Sequence, residues 1–340
     1  MWYLFLPQDE SPADTVLSFS GRVTAASAGA LDREGGGITD WLYLGPEDLT
    51  AVSPALETTL FPDMGYVAFR QDYGTAEEDY AFYSSAGKLI GSHQHNDRGS
   101  FILYSDRTPI SLDAGMCDYG AEEGPWYEGP EAHNTVAFYQ EDGTLYAGSE
   151  NASVLDFYQS EAYDYVKSDI GGGGNQSYQR HFLFLKDGLD AYVIWDDIRG
   201  TRPSRFGIHA LADRVSGAGG NSVTAACCNQ KDFDVTFLEP ADAAVSVRTT
   251  PLSNKTRYAQ DYQQYITAQA PAGGDYLAVL YPRDRGADRL ETVRAGENIY
   301  TVRNGEQICY ILTNPGTQTV SAALPERVAD PRCGQRYLAG

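Results

Sequence analysis

The sequence predicts an all-β protein, a large antiparallel β-sandwich with only a few short helices near its N-terminus. From Met64 onward, short runs rich in β-branched and aromatic residues follow one another, and glycine, asparagine, aspartate and proline punctuate them. No long amphipathic helical pattern interrupts these runs. Because strands this numerous can build two large stacked sheets, we favour one continuous sandwich.

The bulk composition fits an ordered, strand-rich protein. The chain has 340 residues, enough to bury a substantial core, and its 24 tyrosines suit strands. A net charge of −22 argues against nucleic-acid binding and against docking on anionic lipid. No apolar run approaches the length of a membrane helix. The odd number of cysteines, five, argues against a disulfide framework.

The chain divides into a connecting segment and a sandwich domain. Residues 1–62 contain few strand signals and are predicted to be irregular or short helical connection, with Ser11 as one candidate helix cap. Residues 63–340 form the predicted sandwich, from GYVAFR and DYAFYSS to NIYTVRN and QICYILT. The glycine-rich residues 215–220 are the alternative position for a boundary inside this domain.

The stretch from His93 to Asn134 is the part of the sequence that indicates chemistry. It contains three of the five histidines, His93, His95 and His133. On a strand, a spacing of two residues places the His93 and His95 side chains on one face. Asp113 closes a strand run between these histidines and His133. A His-x-His pair, a carboxylate at a strand end and a third histidine are typical of a divalent-metal site.

The same stretch resembles the β-sandwich half of the heparinase II/III-like polysaccharide lyases. The matching segments are H-x-H-x-D-x-x-S-F from His93, L-D-A-G from Leu112, Y-G at Tyr119 and A-H-N-T-V from Ala132. The weaker likeness extends over roughly residues 40–285. In the family an α/α-toroid domain normally precedes this sandwich. We expect residues 1–62 to be the segment that leads out of such a toroid, of which this chain has almost none.

The resemblance implies a divalent metal, usually zinc, in the sandwich. Matching the motif positions makes His95, Asp113 and His133 its ligands, which agrees with the donor types in the pattern. The alternative is that these three are satisfied polar residues at a sheet edge. Asp97 is the competing ligand, and we rank it as a residue that orients a histidine ring or shapes the loop.

The resemblance also implies cleavage of uronic-acid-containing glycans, of the glycosaminoglycan or alginate type, by β-elimination. His93 is then the expected catalytic residue, for carboxylate neutralisation or proton shuttling, unless it is purely structural. Arg98 would pair with the substrate carboxylate unless it is an exposed loop charge. Three aromatic residues would line the sugar site unless they pack the loop, namely Tyr119, Trp126 and Tyr127.

The expected partner is thus an acidic polysaccharide or oligosaccharide, and the expected location is secreted or periplasmic in a bacterium. The family's principal base and acid come from the toroid, so we expect the chain alone to be a weak or inactive lyase. A non-catalytic glycan-binding sandwich with a structural metal is the main alternative. A cupin-like metal enzyme ranks last, because Gly99 and Ser100 stand where a cupin usually supplies a glutamate. His181 and His209 lie in strand patterns and are expected to pack in the sheets.

Overall fold

The computed structural model describes residues 17–18, 22–23, 57–86, 95–118, 120–147, 152–172, 176–186, 188–253 and 260–323. Most of these residues lie in strands, and one short helix, α1 (Gly124–Glu128), is followed by a 3₁₀ turn at Pro130–Ala132. In chain order the strands are β1 (Leu17–Ser18), β2 (Arg22–Val23), β3 (Thr59–Phe61), β4 (Tyr66–Gln71), β5 (Asp79–Ser84), β6 (Ser100–Ser105), β7 (Thr108–Ser111), β8 (Val136–Tyr139), β9 (Leu145–Tyr146), β10 (Ser153–Gln159), β11 (Tyr163–Asp169), β12 (Ser177–Leu185), β13 (Ala191–Arg199), β14 (Ser204–Ala210), β15 (Ala212–Ser216), β16 (Ser222–Cys227), β17 (Lys231–Glu239), β18 (Ser246–Pro251), β19 (Tyr262–Ala270), β20 (Tyr276–Asp284), β21 (Glu291–Gly296), β22 (Ile299–Asn304), β23 (Gln307–Asn314) and β24 (Thr319–Ala323).

The large sheets are antiparallel and pack in three layers. The central sheet has eight strands in the order β10-β11-β12-β13-β20-β17-β16-β15. A first sheet, β3-β4-β5-β6-β7, and a second sheet, β18-β19-β14-β8-β9, contribute side chains to one core against its inner face. The outer sheet, β21-β22-β23-β24, packs on its other face and encloses a second core. The predicted antiparallel sandwich is therefore confirmed, and the outer sheet adds a third layer to it.

The apolar patterns of the central strands follow from this layering. In β12, Phe182 and Phe184 enter the main core, whereas Leu183 and Leu185 enter the second core. Successive side chains of a strand point to opposite faces, so a strand covered on both faces is apolar throughout. This accounts for the continuous apolar run in the sequence of β12.

The predicted boundaries are only partly within the described residues. β3 pairs with β4, so the first sheet begins a few residues before position 63. Residues 215–220 lie at the hairpin that joins β15 and β16 in one sheet, with Val215 paired to Ala225. The helices predicted near the N-terminus lie mostly outside the described residues, and the described elements within residues 1–62, namely β1, β2 and β3, are strands. Among the residues described, no helix is long and apolar enough to span a membrane.

The junction between the first and second sheets positions the histidine-rich segment. The Leu211 N–H donates to the carbonyl of Ile110, joining the ends of β14 and β7. The chain leaves β7, passes through α1 and the 3₁₀ turn, and returns as β8 beside β14. Residues 112–118 and 120–135 therefore run along the seam where the two sheets meet.

Candidate functional site

A buried histidine and a carboxylate form the centre of the site. Asp113 follows β7, and His133 lies between the 3₁₀ turn and β8. Nδ1 of His133 lies 2.6 Å from Oδ2 of Asp113, and the Gly115 N–H donates to Oδ1 at 2.9 Å. The His133 side chain is 1% exposed and that of Asp113 is 35% exposed. The histidine of this pair is therefore buried, whereas its carboxylate is partly accessible to solvent.

The charges of this pair fix the roles of the two ring nitrogens. Burial acts to raise the pKa of Asp113, but the charge and hydrogen bond of His133 outweigh it and lower that pKa. Burial acts to lower the pKa of His133, yet Asp113 raises it overall. An ionised carboxylate only accepts hydrogen bonds, so Nδ1 of His133 is the donor. Nε2 is buried and has no hydrogen-bond partner among the described residues.

His95 and Asp97 complete the cluster. The ring centroid of His95 lies 5.3 Å from that of His133, with the planes at 46°. Burial, followed by the charge of His133, lowers the pKa of His95 and so favours its neutral form. Burial raises the pKa of Asp97, and the neighbouring Asp113 adds to this rise. Two imidazoles and two carboxylates thus influence one another within a small volume.

The donor types suit a divalent cation, but two of the side chains, Asp113 and His133, are hydrogen-bonded to each other. No three His, Cys, Asp or Glu side chains of the described residues form a group that could hold a metal ion. Asp113 bonds to His133 directly, the arrangement by which a carboxylate orients an imidazole whose other nitrogen binds a metal. The unpartnered Nε2 of His133 is the atom that fits this role.

Asn134, the residue after His133, ties the site to three strands. It is fully buried, and its Nδ2 donates to the Phe101 carbonyl at 2.6 Å and to Ser111 Oγ at 3.0 Å. Its Oδ1 accepts the His209 N–H at 2.7 Å, and its own N–H donates to Ser100 Oγ at 3.1 Å. Sequence reasoning included Asn134 only as part of a motif and missed this function.

A fully buried ion pair lies beneath the same segments. Nε and Nη2 of Arg180 donate to the two oxygens of Asp196 at 2.7 and 2.8 Å. Nη1 of Arg180 donates to the carbonyls of Gly99 at 2.6 Å and Asn134 at 3.1 Å. The pair therefore anchors both histidine-bearing segments to the central sheet. Sequence reasoning missed it, although a charged residue in each of two apolar strand runs was the available signal.

The remaining predicted site residues that the structure describes do not line an open cleft. Arg98 is buried, and its Nη1 donates to the His95 carbonyl at 2.7 Å, so the exposed-charge alternative is wrong. Tyr127 of α1 is buried among loop residues, whereas Trp126 is only partly buried and meets it edge-on at 5.0 Å. His93 and Tyr119 lie outside the described residues.

The other two histidines pack in the sheets, as the sequence predicts. His209 is fully buried beside the site and stacks on Tyr265, with ring centroids 4.5 Å apart. His181 is buried on the outer-sheet side of the central sheet and stacks on Trp195 at 4.4 Å. Burial lowers the pKa of each to about 3, so both are neutral at physiological pH.

Comparison with known proteins identifies relatives of this fold. The family model for heparinase II/III-like proteins, C-terminal, matches residues 54–273. Heparan sulfate lyase HepC from Pedobacter heparinus is similar with a TM-score of 0.66 and 16% identity, covering 92% of this chain and 49% of that chain. A heparinase III structure has a TM-score of 0.61 and 18% identity, with 82% and 44% covered. No curated protein has a significantly similar sequence.

This chain spans about half the length of those solved structures. At such low identities the structural likeness establishes the fold alone. The family match covers more than half of the chain and includes the segments that carry His95, Asp113 and His133. The chain therefore belongs to the heparinase II/III-like family, and it carries that family's C-terminal β-sandwich domain.

Proposed function

We propose that this domain is part of a polysaccharide lyase that cleaves uronic-acid-containing glycans by β-elimination. The observation that carries the proposal is the buried His133–Asp113 pair beside His95, within the segment that matches the family. HepC, one of the similar structures, is a heparan sulfate lyase, which supports an acidic glycan of the glycosaminoglycan or alginate type as the substrate. Family membership makes the cupin-like alternative wrong.

The elimination has three chemical requirements, and this chain is expected to meet only part of them. The sugar carboxylate must be neutralised, the neighbouring proton removed and the leaving oxygen protonated. We assign neutralisation or proton shuttling to His93, which precedes His95 by two residues. The family's base and acid come from an α/α-toroid, so we propose that this chain alone is weak or inactive. Tyr119 and Trp126 remain proposed sugar contacts, whereas Arg98 supports the His95 backbone.

We propose that zinc binds at His95, Asp113 and His133 once their side chains move from the placement described above, in which no three of the described residues form a metal-holding group. Nε2 of His133 is buried and unpartnered in the described residues, and the ring centroid of His95, whose neutral form burial favours, lies 5.3 Å from that of His133. Asp113 would either join the ligands or keep orienting His133 through Nδ1. Bound zinc would supply a Lewis acid and hold the two histidine-bearing segments together. Asp97, whose charge acts on all three residues, would be a further carboxylate near the site.

A non-catalytic glycan-binding sandwich, with the metal purely structural, is the second candidate function. It is favoured by the burial of Arg98 and Tyr127, two of the predicted substrate contacts. In this case oligosaccharide would bind without turnover, and the His93→Ala substitution would leave that binding unchanged.

The family resemblance also leads us to propose a secreted or periplasmic bacterial location, which a purely cytoplasmic distribution on fractionation would contradict.

The test is the ultraviolet absorbance of unsaturated uronate products. The chain joined to an α/α-toroid domain of the family is incubated with heparan sulfate, chondroitin sulfate, hyaluronan or alginate. We expect product from one of these glycans, and loss of product in the His133→Ala variant. His181→Gln is the matched control, because it alters a buried histidine on the far side of the central sheet. Absence of product from all four glycans would count against the lyase.

A further inference from the structure

A second cluster of charged residues lies on the outward face of the second sheet. Alternation along β14 sends Phe206 and Ile208 into the core and leaves Arg205 and His209 on the outward face. The strand register then places His209, Tyr265 and Arg248 in one row across β14, β19 and β18. His209 and Tyr265 are buried in this row, whereas Arg205 and Arg248 at its margin are partly exposed beside the histidine cluster.

Two arginines in this surface share a single carboxylate. Nη2 of Arg205 donates to Oε1 of Glu131 at 2.7 Å, and Nη2 of Arg248 donates to the same oxygen. Both guanidinium groups lie over the ring of Tyr265, at 5.6 and 5.1 Å from its centroid. The three charged groups carry a net charge of +1 in a chain whose net charge is −22. These three groups together therefore carry one excess positive charge, opposite in sign to the chain as a whole.

The hydrogen-bonding capacity of these arginines is not used up. A guanidinium group has five N–H donors. Nε of Arg205 is buried without a partner in the described part of the chain, and Arg205 and Arg248 are 15% and 50% exposed. A planar, two-oxygen anion is the ligand that guanidinium donors bind best. Carboxylate and sulfate groups of a sugar both present such oxygens.

The backbone of the second sheet is shaped to hold this arrangement. A Cβ atom on Gly207 would lie 2.1 Å from the Tyr265 hydroxyl, so glycine is needed for the ring to lie across the strand. Burial raises the pKa of Tyr265 to about 12, so the ring that supports both guanidinium groups stays neutral. Tyr265 thus adds no negative charge that would repel an anion at the arginines.

The arginine cluster is continuous with the site already described. Glu131 belongs to the 3₁₀ turn that leads directly into His133. Tyr265 stacks on His209, whose backbone N–H is held by Asn134. An anion bound at the two arginines would therefore lie beside the His133 segment, where a neighbouring sugar unit could reach the cluster.

We propose that Arg205 and Arg248 form a subsite for the carboxylate or sulfate of a sugar unit, and that Glu131 occupies this subsite until the glycan replaces it. The inference deepens the proposed function and depends on it only for the class of ligand. A subsite and a purely structural contact between the turn and the sheet predict different effects of removing Glu131 on anion binding. Removing Glu131 should strengthen anion binding, because the competing carboxylate is lost.

The experiment measures calorimetric affinity of the full chain at low ionic strength for two probes. A heparan sulfate tetrasaccharide carries sulfate and carboxylate, whereas an alginate tetrasaccharide carries carboxylate alone. We expect Arg205→Gln and Arg248→Gln each to weaken the Kd about tenfold or more, and Glu131→Gln to tighten it. Arg303→Gln, an exposed arginine of the outer sheet, is the matched control and should bind like the wild type.

Each outcome decides the proposal separately from the lyase. Weakening by both arginine variants, with unchanged melting temperature in Arg248→Gln, supports the subsite even when no unsaturated product forms. A preference for one probe identifies sulfate or carboxylate as the anion. Wild-type affinity in Arg248→Gln, or weaker binding in Glu131→Gln with an intact fold, overturns the subsite even when the lyase is active. No saturable binding of either probe overturns it as well.

Discussion

Breaking the buried Arg180–Asp196 pair should loosen the candidate site from beneath. In Asp196→Asn the guanidinium of Arg180 stays buried but loses its bidentate carboxylate partner. The same guanidinium holds the carbonyls of Gly99 and Asn134, which adjoin the two histidine-bearing segments. We therefore predict a loss of stability together with a change in the environment of His133.

The size of the effect follows from complete burial of both partners. Both side chains are 0% exposed, so an uncompensated charge there costs about 3–5 kcal/mol of unfolding free energy. Replacing both partners by apolar residues, as in Arg180→Met with Asp196→Leu, should recover much of that loss, because no buried charge remains. The double variant still lacks donors for the Gly99 and Asn134 carbonyls. Its site should therefore stay displaced although its stability improves.

Urea unfolding gives the stability, and the imidazole ¹H–¹⁵N spectrum of His133 reports on the site. The matched control is Asp234→Asn, which breaks another buried pair, Arg283–Asp234, on β20 and β17; in the described residues the Arg283 guanidinium bonds to Asp234, Asp284 and Ala287 and not to the histidine-bearing segments. We expect both variants to be destabilised, but only Asp196→Asn to shift the His133 Nδ1–H signal. A loss under about 1 kcal/mol, or equal His133 shifts in the two variants, would refute the reasoning.

Three further predictions concern stability. Asn134→Ala leaves several buried partners unsatisfied and should lower the unfolding free energy by at least about 2 kcal/mol in urea titrations; a smaller loss would mean that water replaces the amide. Gly207→Ala should cost about 1–3 kcal/mol through its clash with the Tyr265 hydroxyl, and a wild-type melting temperature would contradict this. Burial raises the pKa of Asp79 from 3.8 to about 7, so its contribution to stability is complete below pH 3.8 and is lost as pH rises through 7. The unfolding free energy of Asp79→Asn should therefore rise relative to that of the wild type by up to about 1.4 kcal/mol per pH unit between pH 3.8 and 7. Equal pH profiles of the two proteins in urea unfolding would disprove the assignment.

The fold class could be predicted because strand runs and turn residues are local signals. The apolar runs in β12 and β13 also reflect burial on both faces. Which layer each strand joins could not be predicted, because pairing joins residues far apart in sequence. The sequences of β21–β24 predict strands but do not indicate that these strands form a separate outer sheet. That arrangement becomes evident only from the second core that the outer sheet encloses against the central sheet.

The site could be predicted as far as its residues lie within one motif. His95, Asp113 and His133 lie near one another, since the β6–β7 hairpin and the seam between sheets bring them close, and their role as metal ligands stays a prediction. The supporting ion pair of Arg180 and Asp196 lies on β12 and β13, so no motif near the histidines contains it. The burial of Arg98 could not be predicted from the sequence either, because it depends on its contact with the His95 carbonyl and on packing.

The most direct test of this account is the zinc content of the purified chain. Elemental analysis should find about one equivalent of zinc per chain, the expectation for one site with three protein ligands. His133→Ala should contain almost none, because it removes the unpartnered Nε2, whereas His181→Gln should retain the wild-type amount. Equal zinc content in His133→Ala and the wild type would contradict the account.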